Sequence, residues 1–121
     1  MNEKYKIIKD KDFTTIYCDA ITCTDEIKKV IDSAAFFDQT GRTLWIIEQN
    51  IELPIEELQQ IAKHAKEQFS PPAKAALVVS HKITYAFASI LAEFIKEEHY
   101  DISTFRTQDK AMSWLMKSAE S

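Results

Sequence analysis

Thr43-Leu44-Trp45-Ile46-Ile47 is a continuous apolar run, and Ala75-Ala76-Leu77-Val78-Val79 is a second. Runs of this length without polar alternation fit strands buried on both faces, as in a parallel sheet covered by helices. The residues between them read as a helix. Pro54 suits a first helical turn, and Leu58, Ile61, Ala62, Ala65 and Phe69 recur at helical spacing. Ser70-Pro71-Pro72 then stops the helix, since proline neither donates a backbone hydrogen bond nor tolerates a helical residue before it. Strand, helix and strand in this order make one βαβ unit.

The pattern continues in both directions. Downstream, Ser80 is placed to cap a helix whose expected core stripe is Ile83, Phe87, Ile90, Leu91 and Phe94. Ala86, Ala88, Ser89 and Ala92 widen that face. Ile102 to Arg106 follows as a strand, and Thr107 caps a last helix carrying Ala111, Trp114 and Leu115. Upstream, Thr24 is the expected cap of a helix with Asp25 and Glu26 in its positive first turn. Ile27, Val30, Ile31 and Ala34 are its buried stripe, Phe36 and Phe37 close it, and Gly41 lies in the turn beyond. Tyr5 to Lys9 and Phe13 to Cys18, separated by Asp10-Lys11-Asp12, read as a hairpin. The order is β-β-α-β-α-β-α-β-α: an α/β fold with a mostly parallel sheet and an antiparallel edge strand. Lys6 and Lys9 on that first strand oppose edge-to-edge pairing.

Composition narrows the function. The chain has 121 residues, enough for one domain spanning 1–121, with 45% hydrophobic and 28% charged residues. A net charge of −4 runs against sequence-independent nucleic-acid binding, which depends on cations to neutralise phosphates. No apolar run approaches the ~20 residues of a membrane span, and the charged start MNEKYKIIKDKDF does not read as a secretory signal. A cytoplasmic location without membrane insertion is the expectation. Cys18 and Cys23 are then expected to be free thiols. With a single glycine, Gly41, the chain has no phosphate loop, dinucleotide fingerprint or nucleophile elbow in standard form.

Candidate site residues lie where parallel strands end, because ligands of open α/β sheets gather there. Glu48 follows the first buried run and has the chemistry of a general base or ligand anchor, although a solvated carboxylate is the plainer account. Ser80 and His81 are a nucleophile and a base by type, but neighbours at a helix start point apart. Lys82 and Arg106, with Ser80, can draw an anion to a helix N-terminus, although two solvated charges at strand ends are the plainer account. Tyr85 and Phe87 can line an apolar pocket between the third helix and a neighbour, although Phe87 is read as plain core. Tyr85, Ala88, Ala92 and Ile95 make a second sticky face on the third helix, the hint of a homodimer. His64 reads as solvated, and the histidines are too scattered for a metal site. Neither a catalytic constellation nor a cofactor is expected.

Several of these segments together carry a resemblance. Leu44-Trp45-Ile46-Ile47, Ile55-Glu56-Glu57-Leu58, Ala75 to Val79, Tyr85-Ala86-Phe87-Ala88 and above all the closing Phe105-Arg106-Thr107, Asp109, Ala111 and Trp114-Leu115 resemble the small bacterial proteins of the SpoIIAA-like (STAS-like) family. The likeness covers nearly the whole chain. It implies a sheet with helices packed on it, as in STAS domains and the lipid-binding CRAL-TRIO-like fold. It implies no enzyme activity, but a regulatory or protein-interaction role with a protein partner. The alternative is a carrier or sensor of a small apolar or anionic, lipid-like ligand in a strand-end crevice. In anti-sigma-factor antagonists a phosphorylatable Ser starts the helix after the third strand. Here Glu48 to Pro54 contains neither Ser nor Thr, and Ala86 and Ser89 stand where SpoIIAA-like relatives tend to have Gly and Arg.

Overall fold

Residues 5–19, 21 and 23–117 are described by a computed structural model, and strands and helices alternate along them as the hydrophobic patterning predicts. The hairpin is β1 (Tyr5–Lys9) and β2 (Thr14–Cys18). Then come α1 (Thr24–Phe37), β3 (Arg42–Ile47), α2 (Ile55–Gln68), β4 (Ala73–Val79), α3 (Lys82–Ile95), β5 (Tyr100–Phe105) and α4 (Gln108–Leu115). The strands form one five-stranded sheet in the order β1-β2-β3-β4-β5. β1 pairs antiparallel to β2, and every other neighbouring pair is parallel.

A sequential order means that each βαβ crossover steps the same way along the sheet. Crossovers share one hand, so α1, α2 and α3 all lie on one face. The strand register shows this directly. On β3, Leu44 and Ile46 pack with Ala76, Val78, Ala111 and Leu115, the α4 side. Trp45 and Ile47 point the other way, into the clusters built with α1, α2 and α3. The α4 side closes tightly. Lys74 fastens it by donating through Nζ to the carbonyls of Trp114 (2.7 Å) and Lys117 (3.1 Å), with the ammonium 4.5 Å from the centroid of the Trp114 ring. Burial, the largest influence, lowers the Lys74 pKa.

Helix ends depart from the expected caps. Cys23, not Thr24, stands at the N-cap of α1; Thr24 is buried and its hydroxyl donates to the Glu57 carboxylate, tying α1 to α2. His81, not Ser80, stands at the N-cap of α3, and Pro54 precedes α2 rather than lying in its first turn. Thr107 occupies the N-cap of α4 without a side-chain cap bond.

The α3 stripe is also turned relative to the sequence reading. Thr84, Ala88, Ala92 and Ile95 face inward and are buried, whereas Ile83 and Ile90 are 55% and 37% exposed. The helix lies in a corner. Its small residues approach β4 and β5, and its large Phe87, Leu91 and Phe94 turn to α2. Ala88, Ala92 and Ile95 are therefore spent inside the chain and are not available as a face for a second copy.

Gly41 sits in the expected turn with φ +76°, a conformation costly for side chains with a Cβ. Asp38 holds that turn, accepting from the N–H of Thr40 (3.1 Å) and Gly41 (3.0 Å) and from the Thr14 hydroxyl (2.7 Å). The Gly41 carbonyl accepts from Lys74 N–H at 2.8 Å, and a Cβ at Gly41 would lie 3.3 Å from the Pro72 carbonyl oxygen. Gly41→Ala should lower unfolding free energy by about 1–2 kcal/mol in urea titrations. Exposed Gln39→Ala should change it by less than about 0.5 kcal/mol.

Candidate functional site

The strand ends are knitted together rather than opened into a crevice. A sheet whose order never reverses has no switch point at which neighbouring crossovers part to opposite faces and leave a cleft. Its loops instead lie against one another. His81 Nε2 donates to the backbone carbonyl of Glu48 (2.9 Å), so the ring meets the main chain and not the carboxylate. Ile51 N–H donates to Thr84 Oγ1 (2.8 Å). The Gln49 amide accepts from Ile21 N–H (2.6 Å) and donates to the Ile21 carbonyl. Arg106 donates to the Ser80 carbonyl (3.1 Å) and lies 5.4 Å from the centroid of the Tyr85 ring. The Tyr85 hydroxyl reaches the Thr104 carbonyl at 3.4 Å.

Of the residues proposed from sequence, the structure thus groups Arg106, Tyr85 and the main chain of Ser80. Glu48 and Lys82 are exposed, as is Ser80. No acid, base and nucleophile converge there, and among the described residues no three His, Cys, Asp or Glu could jointly hold a metal ion. His64 is not simply solvated: its Nε2 lies 2.6 Å from Asp32 Oδ1, pairing α2 with α1. Sequence reading missed this pair because the two residues lie on separate helices with nothing in their spacing to join them.

A cavity lies inside the fold, between the sheet and the three-helix layer. The backbone of α3 approaches β5 and that of α4 approaches β3 and β4, while α2 is held by α1 and α3. Beneath α2 is a partly enclosed cavity of about 140 Å³. Trp45, Ile47 and Leu77 of the sheet line it from below, and Ile61, Phe87 and Leu91 from above. Trp45 and Ile47 belong to the central strand, yet both remain only half-buried, whereas Leu44 and Ile46 on the opposite face are fully covered. A void of this size in an apolar core costs about 3 kcal/mol.

The lining offers little hydrogen bonding. Trp45 Nε1–H donates to Thr43 Oγ1 (2.8 Å), and the Trp45 ring stands edge-on to Phe69 with centroids 6.4 Å apart. The Thr84 hydroxyl is occupied by Ile51 N–H. No buried side-chain nitrogen or oxygen among the described residues lacks a partner. Cys18 also lines the space, and burial pushes its thiol pKa up to about 12. Sequence reading took Phe87 as plain core and Tyr85 as a pocket residue, whereas Phe87 lines this cavity and Tyr85 does not. The signal for the cavity was a run of alanines, Ala65, Ala75 and Ala88, on the three elements that surround Trp45.

The fold and interior define a class: a one-directional α/β sheet with an apolar chamber on its three-helix side. Comparison with family models, curated proteins and solved structures finds no match to this chain. No helix among the described residues is long and apolar enough to cross a membrane.

Both cysteines are free, Cys23 exposed and Cys18 buried. Native protein at pH 8 should react with Ellman's reagent at Cys23 only, and at Cys18 only after unfolding. The raised Cys18 pKa means that the folded state holds this proton more tightly than the unfolded chain. Its contribution to stability is complete below pH 9.0 and is lost as the pH rises towards 12. Cys18→Ala should flatten that alkaline fall in denaturation experiments.

Proposed function

We propose that this chain is a non-enzymatic regulatory or protein-interaction domain of STAS-like type. The observation that carries the reading is an aromatic pair presented to solvent at the end of α1. Phe36 is 82% exposed and Phe37 44%, their rings edge-to-face at 5.2 Å. A large aromatic left in water gives up most of the stabilisation its burial would provide, and aromatics are enriched where protein surfaces meet. The closing Phe105, Arg106, Ala111 and Trp114-Leu115 pattern, on which the family likeness rests, accords with a binding role. The loop from Glu48 to Pro54 has no hydroxyl to phosphorylate, so regulation on this reading works through binding rather than through a phosphoserine at that place. A cytoplasmic setting belongs to the proposal and accords with two unbridged thiols. A homodimer, if formed through α3, would use its outer Ile83, Ala86 and Ile90.

A second reading has its own support. A carrier or sensor of a small apolar ligand accords with the cavity beneath α2. On this reading the ligand lies between the sheet and the three-helix layer rather than in a strand-end crevice.

The interaction reading predicts that a photo-crosslinking phenylalanine analogue at Phe36 captures a discrete partner in the cells that make this protein. The same analogue at Lys63, exposed on α2, should not. Phe36→Ser should abolish the complex while changing unfolding free energy by less than about 0.5 kcal/mol. Equal capture from both positions, or none from Phe36, sinks the reading.

A further inference from the structure

We propose that the chamber beneath α2 is a binding site for an uncharged, single-ring aromatic molecule seated against Trp45. This deepens the second reading above and rests on it. Three features of the chamber specify the ligand class.

Size is the first. Apolar cavities of about 150 Å³ remain dry and admit benzene, and the chamber here is about 140 Å³. Pockets for drug-sized ligands run from roughly 300 Å³ upward, so a two-chain lipid is far too large. Charge is the second. The two threonine hydroxyls at the chamber are already bonded, Thr43 to the Trp45 indole and Thr84 to the backbone of Ile51. Lys74 and Asp101 also border the space, but they stand side by side in the β4–β5 register, and Lys74 carries its ammonium to the carbonyls of α4 on the other face of the sheet. A carboxylate, an ammonium or a polyol entering the chamber would surrender its water for at most a threonine hydroxyl or two.

Ring geometry is the third. Because its N–H is satisfied, the Trp45 indole presents an apolar surface that its own chain covers only in part. Phe69 already meets it edge-on, and Phe87 lines the roof. Aromatic guests gain from such offset and edge-to-face arrangements beyond the area they bury. A saturated ring of the same size fills the space without that gain.

The test uses three matched probes on the whole protein: toluene, methylcyclohexane and benzoate. Binding is read from the Trp45 indole N–H resonance, one of two indole signals expected from the two tryptophans, and from thermal denaturation. Toluene should shift the resonance saturably and raise the melting temperature. Methylcyclohexane should bind at least about threefold more weakly, and benzoate should not bind. Ala65→Val and Ala75→Val each narrow the chamber, and either variant that folds should lose toluene binding. Equal binding of toluene and methylcyclohexane would overturn the aromatic class and leave the chamber as a ligand site. Benzoate binding as tightly as toluene would overturn the uncharged class. No shift with any probe, and no xenon uptake by the chamber, would overturn the ligand reading itself.

Discussion

The parallel pairing of β3 with β4 sets the frame for everything else. It places Trp45 beside Leu77 and Leu44 beside Ala76, and because strand side chains alternate between faces, it sorts the two central strands into a tight side and a loose one. Leu44, Ile46, Ala76 and Val78 meet α4 and are buried. On the three-helix side Trp45, Ile47 and Ala75 stay partly open, while Thr43, Leu77 and Val79 beside them are buried. A slip of one residue in this register would put Trp45 against α4 and turn every other side chain to the wrong face.

One-directional winding produces the asymmetry. Three crossover helices on the same face must share the width of the sheet. The outer two meet its flanks, α1 against β1 and α3 against β5, and α2 bridges between them. Its apolar stripe, Leu58, Ile61 and Ala62, therefore finds α1, α3 and the tip of Trp45 before it finds the backbone of the sheet. Alanines where larger side chains could stand leave the remaining space unfilled. The chamber is a consequence of topology combined with side-chain volume, neither of which alone would produce it.

The same winding accounts for the behaviour of the polar residues. Without a reversal in strand order, the loops beyond β3, β4 and β5 run side by side and satisfy one another. Gln49 holds Ile21, Thr84 holds Ile51, His81 holds the Glu48 carbonyl and Arg106 holds the Ser80 carbonyl. Groups that would be candidates for chemistry in an open crevice serve here to close the ends of the fold. On the two proposed readings recognition falls to apolar features, the exposed phenylalanines of α1 and the interior around Trp45.

The sequence by itself determined the element order, the antiparallel first strand and the glycine turn. These follow from short-range causes: hydrophobic period, prolines that stop helices, and the φ that only Gly41 adopts cheaply. Which way α3 faces was decided by tertiary structure, since an apolar helix in a corner has two inward sides and only its neighbours choose which residues fill each. Thr24, His64 and Gln49 found their partners Glu57, Asp32 and Ile21 across 28 residues or more, beyond the reach of any spacing rule. The chamber was likewise invisible along the chain, because a void is a property of distances between elements and not of any one of them.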